Sequence, residues 1–178
     1  MNKRVLVAVI AFILLAVGSA VFLIFHAQDN KSETDTPTQT TYPVKVYFSK
    51  ASASYDDPTK TYPVDRKSPD LGVAKYVIKQ LLAGPTATEA ESGYFSDVKV
   101  RSDASDCQGD DFTITIKNNV ATLRFCRTFD AIGTMSDARA QEEIKASLLQ
   151  FNTIKKVIIL SKTGDCQFDA SGLNLCKE

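Results

Sequence analysis

Hydrophobic positions change period along this chain, and the changes mark its elements. From Val5 to Phe25 the residues are apolar apart from Gly18 and Ser19. As a helix, that run of 21 residues reaches about 32 Å at roughly 1.5 Å per residue, enough to cross one bilayer. Residues 27–42 are Asp, Asn, Ser, Glu, Thr, Gln and Pro with almost nothing apolar; such a segment cannot bury a core and reads as a flexible stalk. Val44, Val46 and Phe48 then alternate with Lys45 and Tyr47, the period of a half-buried strand, and Ser49 to Thr61 read as a polar loop.

Helical spacing follows. Leu71, Ala74, Ile78 and Leu81, with Val77 and Leu82 beside them, form one apolar face, and Ser68-Pro69-Asp70 supplies a start with Ser68 at the cap and Pro69 in the first turn. Phe112, Ile114 and Ile116 alternate, Asn118-Asn119 tolerates the positive φ of a tight turn, and Val120 to Phe125 return as the second strand of a hairpin. Ser136-Asp137 can open a second helix with Ala140, Ile144, Leu148 and Phe151 on one face; Val157 to Leu160 are short and β-branched, a strand expected at the centre of a sheet. The predicted architecture is α+β: two helices on one face of a mixed sheet of about four or five strands. The division is residues 1–26 as an anchor, 27–42 as the stalk and 43–178 as one folded domain.

Between the first helix and the next strand, Leu81 to Ser96 read Leu-Leu-Ala-Gly-Pro-Thr-Ala-Thr-Glu-Ala-Glu-Ser-Gly-Tyr-Phe-Ser. Gly84 sits where a helix needs positive φ to close, Pro85 stops it from continuing, Thr86 with Glu89 forms a capping box for a short turn, and Gly93 ends that turn before Tyr94 and Phe95. This joint resembles the hallmark of the GerMN domain, the sporulation and spore germination domain, in which a helix closes in a Leu-Leu-x-Gly-Pro turn; here Leu81, Leu82, Gly84, Pro85, Gly93, Phe95 and Ser96 carry it. The similarity extends over about residues 43–165. Pro43 to Phe48 look like the family's first strand, Tyr62 to Arg66 like the segment with an Arg before its first helix, Val120 to Phe125 like its central strand, and Ile144 to Ile159 like its closing helix and strand. The four cysteines depart from the general pattern, and there is one copy where some relatives carry two. The resemblance implies a binding or assembly module of the cell envelope, not an enzyme.

Charge settles orientation. Lys3 and Arg4 precede the apolar run and no acid occurs before Asp29, which places the N-terminus in the cytoplasm and the domain outside, as a single-pass protein of the cell membrane. A cleaved signal peptide is the competing reading, with Gly18 and Ala20 as small residues before a cut; Val21 to Phe25 continue apolar beyond it, which favours the anchor. Setting Lys3 and Arg4 aside leaves 19 basic residues against 21 acidic ones, a net charge of −2 that gives no reason to expect nucleic acid or an anionic membrane surface as partner.

Cys107, Cys126, Cys166 and Cys176 all fall in the exterior part, where oxidation is permitted. Four cysteines allow three pairings; Cys107 with Cys126 would bracket the hairpin and Cys166 with Cys176 would close a C-terminal loop. A zinc site is the alternative, disfavoured because no Cys-x-x-Cys pair occurs. Asp103, Asp106, Asp110 and Asp111 crowd the loop around Cys107 and invite a calcium reading, but their spacing fits no EF-hand loop, and a solvated turn pinned by a disulfide is expected.

Catalytic signals are thin. Ser96-Asp97-Val98-Lys99 has the Ser-x-x-Lys spacing of penicillin-interacting enzymes and Lys162-Thr163-Gly164 the later Lys-Thr-Gly, yet Ser96 runs towards Val98 and Val100 in strand alternation instead of opening a helix. The single histidine, His26, lies at the membrane exit. No nucleophile–base pair, metal or cofactor is implied. For contact, Tyr55, Asp56 and Asp57 in the 49–61 loop, with Tyr62 and Arg66 beside it, offer aromatic and charged groups. The expected function is binding of an envelope protein or of peptidoglycan; self-association through sheet edges is the alternative, and a serine-dependent cell-wall enzyme the third reading.

Overall fold

The strand β1 (Tyr42–Lys50) turns Val44, Val46 and Phe48 into the core, while Pro43 and Lys45 stay exposed. The structure, a computed structural model, describes residues 40–130 and 133–178; the apolar run, His26 and the stalk up to residue 39 lie outside the described residues. Among the described residues no helix is long and apolar enough to cross a membrane.

The polar loop after β1 contains one turn of helix, α1 (Ala53–Asp56), fixed by Ser54, whose Oγ accepts from Lys50 N at 2.9 Å and donates to Lys60 O at 2.8 Å. Tyr62 to Arg66 precede the first long helix, as the resemblance implies, and are themselves a strand. They form β2 (Tyr62–Ser68), antiparallel to β1 from Phe48↔Tyr62 to Tyr42↔Ser68. Backbone pairing decides this, since only Val64 among its inward side chains is aliphatic. Ser68 therefore ends a strand instead of capping a helix. The helix α2 (Val73–Ala83) starts later, with Gly72 at its cap; Ala74, Val77, Ile78 and Leu81 are buried, but Leu71 precedes the helix and is 77% exposed.

The joint forms as its residues dictate. Gly84 closes α2 at φ 78°, Thr86 and Glu89 make a complete capping box at α3 (Ala87–Glu91), and Gly93 turns the chain at φ 88° into β3 (Tyr94–Phe95). β3 pairs with β1 through Ser49↔Phe95 and Lys50↔Tyr94 only. The alternation expected from Ser96 to Val100 yields no longer strand; Val100 makes an isolated bridge to Phe129.

The remaining strands form a second sheet. β4 (Phe112–Lys117) and β5 (Val120–Phe125) are a hairpin turned by Asn118 and Asn119 at φ 51° and 62°. The helix α4 (Thr134–Leu149) leads from β5 to β6 (Lys156–Leu160), which lies parallel to β5. α4 begins at a Gly133 cap, three residues before Ser136, and β6 sits at the end of the order β4-β5-β6 with β5 in the centre, not β6. α2 and α4 pack against β1 and each other, burying Phe48, Val77, Ile78, Ile144 and Leu148.

The fold is thus α+β, but with two three-stranded sheets, β2-β1-β3 and β4-β5-β6, in place of one sheet. The reason lies along the second edge of β1. Ser49 N donates to Glu143 Oε1 at 3.2 Å, Tyr47 N to Ser147 Oγ at 3.0 Å and Lys45 N to Gln150 Oε1 at 2.8 Å. Gln150 Nε2 returns a bond to Lys45 O at 2.6 Å. Side chains of α4 and its C-cap occupy the place of a neighbouring strand.

Glu143 is fully enclosed and is the acceptor at the joint end of this ladder, taking further bonds from Ser49 Oγ at 2.6 Å, Ser96 Oγ at 2.8 Å and Asp97 N at 3.4 Å. Burial pushes its carboxyl up from 4.5 to about 7, against the downward pull of the serine hydroxyls and the Asp97 amide. The unfolded chain then releases this proton first, so the contribution to stability is full below about pH 4.5 and declines as pH rises to about 7. Comparing wild type with Glu143→Gln by urea denaturation at pH 4.5 and pH 8 should show the balance move by about 3 kcal/mol towards the Gln variant at the higher pH. Glu143→Ala, which strands the donors of Ser49, Ser96 and Asp97, should lose about 3–5 kcal/mol at both. At the joint, a Cβ on Gly84 would meet nothing within 4 Å, but φ is 78° and ψ −179°, a region essentially reserved for glycine, so Gly84→Ala should lower stability by about 1–3 kcal/mol through backbone strain alone.

Candidate functional site

The joint between α2 and β3 collects side chains from β1, β2, α1 and α4. Its outer wall is a clasp. Arg66 Nη1 and Nη2 reach Glu89 Oε1 and Oε2 at 2.7 and 2.6 Å, with Arg66 Nε also donating to Gln80 Oε1 at 3.3 Å. The Arg66 hydrogen bonds hold the Glu89 carboxyl down at about 2 against the opposing effect of partial burial, and the Glu89 hydrogen bonds raise Arg66 in turn. Glu89 also accepts from Thr86 N at 2.8 Å to complete the capping box. Arg66 is therefore a fastening between β2 and α3.

Next to the clasp is an aromatic platform. Tyr55, 57% exposed, stacks on Phe95 with centroids 5.1 Å apart, and the Arg139 guanidinium lies 5.4 Å from the Tyr55 ring and 5.5 Å from the Phe95 ring. Arg139 is oriented by Asp97, Nε to Oδ2 at 2.6 Å, with both side chains 10% exposed. Two rings and a delocalised cation attract through the ring quadrupoles, so the platform is held rigid from below. Asp137, in the first turn of α4, is raised by burial and then by the Asp97 charge.

Ser96 faces the opposite way. Its hydroxyl donates inward to Glu143 and accepts from Val98 N at 3.1 Å, leaving the residue 6% exposed. A serine nucleophile needs its base on one side and substrate on the other; here both bonds of the hydroxyl are internal. The second element of that reading is also engaged, because Lys162 Nζ bonds to Asp103 Oδ2 at 2.9 Å and Ala104 O at 2.6 Å. A cavity of about 260 Å³ behind the joint is lined by Leu81, Leu82, Gly84, Pro85, Tyr94 and Ser96 among others.

Asp56 is exposed beside Tyr55, whereas Asp57 folds onto Thr59, accepting from its N at 3.0 Å and its Oγ1 at 2.6 Å, which lowers its carboxyl. Tyr62 lies in β2 opposite Phe48. A wider depression of about 760 Å³ lies elsewhere, over β1 and β2 between Pro43, Tyr47, Lys67 and Gln150. Its Lys45 and Asp65 pair with each other at 2.9 Å and its Gln150 is engaged by the Lys45 backbone, so it holds less chemistry than the joint.

Cys107 is bridged to Cys126 and Cys166 to Cys176, with Cα–Cα distances of 5.6 and 5.9 Å. Among the described residues the one grouping of metal-ligand types is Asp106 with Cys107 and Cys126, and both sulfurs belong to the bridge. Each acid of the surrounding loop has a cation: Asp103 with Lys162 at 2.9 Å, Asp110 with Lys75 at 3.0 Å, Asp111 with Arg127 at 2.5 Å, and Asp106 with Arg124. Lys162 and Thr128 hold the Asp103 carboxyl at about 2. The cluster is a salt-bridged turn.

The residues that pattern reading passes over are Glu143, Arg139 and Asp97. A signal was present: in α4, Arg139-Ala140, Glu143-Ile144 and Ser147-Leu148 repeat a polar residue directly before an apolar one every four positions. A polar stripe this regular beside the core face must itself be covered.

The family described as "Germane: Sporulation and spore germination" matches residues 45–162, which include the clasp, platform, joint and ladder. Among solved structures, the tandem GerMN domains of the sporulation protein GerM from Bacillus subtilis align with a TM-score of 0.46 at 18% identity, over 78% of this chain and 48% of that one. A putative lipoprotein from Clostridium perfringens aligns with a TM-score of 0.40 at 18% identity, over 70% of this chain and 77% of that one. The chain thus spans about half the length of the GerM structure, and no curated protein matches it. With the match running from the first strand through β6, this chain belongs to the Germane family of sporulation and spore germination domains.

Proposed function

We propose that the chain is a non-enzymatic, single-pass envelope protein whose extracytoplasmic GerMN domain binds a protein partner or peptidoglycan. The observation that carries the non-catalytic part is the direction of the Ser96 hydroxyl, bonded inward to an enclosed carboxylate. Support for an exterior location comes from the two disulfides, which persist in oxidising compartments, and from the apolar run behind Lys3 and Arg4. The contact residues are Tyr55 and Asp56, exposed on α1 and backed by Phe95 and Arg139. Rigid, supported aromatics make strong contact points because little side-chain freedom is lost on binding.

Crosslinking in intact cells, with co-sedimentation on purified peptidoglycan in parallel, should capture the wild-type chain in one of the two, and Tyr55→Ala should reduce that capture about tenfold while still unfolding cooperatively, with a melting temperature lowered only by the lost ring contacts. Ser96→Ala should retain capture; if it instead removed a hydrolytic activity that wild type shows on peptidoglycan, the binding-module reading would be wrong. Protease added to spheroplasts should digest the domain, and protection until lysis would exclude the exterior location.

A further inference from the structure

Sheet edges are where strands of other chains can add, and the folded protein protects most of its own. Because Lys45, Tyr47 and Ser49 direct their N–H groups to α4, it is the even-numbered residues of β1 that bond to β2. The outward edge of β2 therefore belongs to Pro63, Asp65 and Lys67, one lacking a donor and two charged, a combination that discourages pairing. β3 has two residues. β6 is covered by the loop that Cys166–Cys176 closes, through Gln167 N to Ile159 O at 2.9 Å and Ser161 N to Asp165 O at 2.8 Å.

β4 is different. Its turn places Lys117↔Val120 next to the two asparagines, and Cys126 N donates to Asp111 O at 2.8 Å, so residues 111, 113, 115 and 117 face β5. The backbone N–H and C=O groups of Phe112, Ile114 and Ile116 point away from the sheet, and no hydrogen bond from another described residue meets them. The edge reads Phe-Thr-Ile-Thr-Ile, uncharged and β-branched after Phe112, and Ile116 is 46% exposed although its neighbours on that face turn inward.

We propose that two copies of this domain join by antiparallel pairing of their β4 strands about a two-fold axis at Ile114. The strand is self-complementary in that register. Ile114 meets Ile114 of the second copy and Ile116 meets its Phe112, giving about six backbone hydrogen bonds in three hydrogen-bonded pairs and covering the exposed isoleucine. On the outer face Thr113 comes opposite Thr115, and Lys117 opposite Asp111, both at the closer, non-hydrogen-bonded positions. The axis repeats each pair, so two Lys–Asp contacts bracket the seam. Asp111 can serve twice, since Arg127 engages its Oδ1 and the side chain is still 47% exposed. At the Phe112 end, a groove of about 400 Å³ between Gly109–Phe112 and the α2 residues Lys75, Lys79 and Leu82 leaves room for the other copy's Asn118-Asn119 turn. An isologous seam of this kind closes at two copies.

Light scattering of the full chain in detergent micelles should give a protein mass twice the 19.5 kDa of one chain. Ile116→Pro removes an outward N–H that β5 does not use, so it should weaken association at least tenfold with the melting temperature retained, while Ile116→Val should associate as wild type. Thr113→Cys combined with Thr115→Cys should form a covalent dimer on mild oxidation, seen on a non-reducing gel. A wild-type chain that stays monomeric at high concentration, a folded Ile116→Pro variant that remains dimeric, or a dimer that the cysteine pair does not lock would each overturn the proposal. Capture of a peptide along β4 by a strictly monomeric chain would assign the edge to another occupant and overturn it equally.

Discussion

The free edge of β1 must be satisfied inside the protein, and the molecule meets that constraint with a helix. Three backbone donors two residues apart along a strand are spaced about 6.8 Å from one another. Glu143, Ser147 and Gln150 rise about 6 and 4.5 Å along α4 and its cap. The helical ladder is therefore shorter than the strand it serves, and side-chain length absorbs the difference, with the long Glu and Gln at the two ends and the short Ser in the middle. Gln150 both accepts from Lys45 N and donates to Lys45 O, reproducing the two bonds that a residue of a neighbouring strand would make.

From this substitution much of the rest follows. A carboxylate used to finish a strand edge has to be buried, and burial raises its affinity for a proton. Its second oxygen is then available to Ser96, and the adjoining Asp97 to Arg139, which in turn supports Phe95 and Tyr55. β3, with two paired residues, is too short to fix the joint by itself. Its position is set from behind by α4, and the exposed aromatic platform inherits that rigidity. Hydrophobic packing alone would specify the position of α4 less sharply, because apolar side chains tolerate sliding that a three-rung polar ladder does not.

Elements with strong local chemistry were legible in the sequence. Gly84, Thr86, Glu89 and Gly93 each have a geometric requirement that the neighbouring residues cannot hide, and the Asn118-Asn119 hairpin is of the same kind. Both long helices are apparent from their apolar faces, although their first residues shift, because Ser68 and Ser136 are plausible caps that the tertiary structure does not use. β2 escaped notice because Tyr-Pro-Val-Asp-Arg-Lys-Ser has too few apolar inward positions for alternation to register; its pairing with β1 is a long-range fact. The polar ladder was hidden for a deeper reason. A Glu, a Ser and a Gln on a helix read individually as solvent-facing, and only the strand lying across them converts them into structure.

The same logic bears on function. Buried polar groups in this protein are committed to one another: Ser96 to Glu143, Asp97 to Arg139, Arg66 to Glu89. A catalytic site generally keeps a polar group poised in a cleft with its reactive face open, whereas here the polar interior finishes edges and fastens loops. Among the described residues, a supported tyrosine and an uncharged strand edge lie open on the outside. The recognition role proposed above draws on those two surface features, because a supported ring and an open strand edge make contact without first having to be ordered.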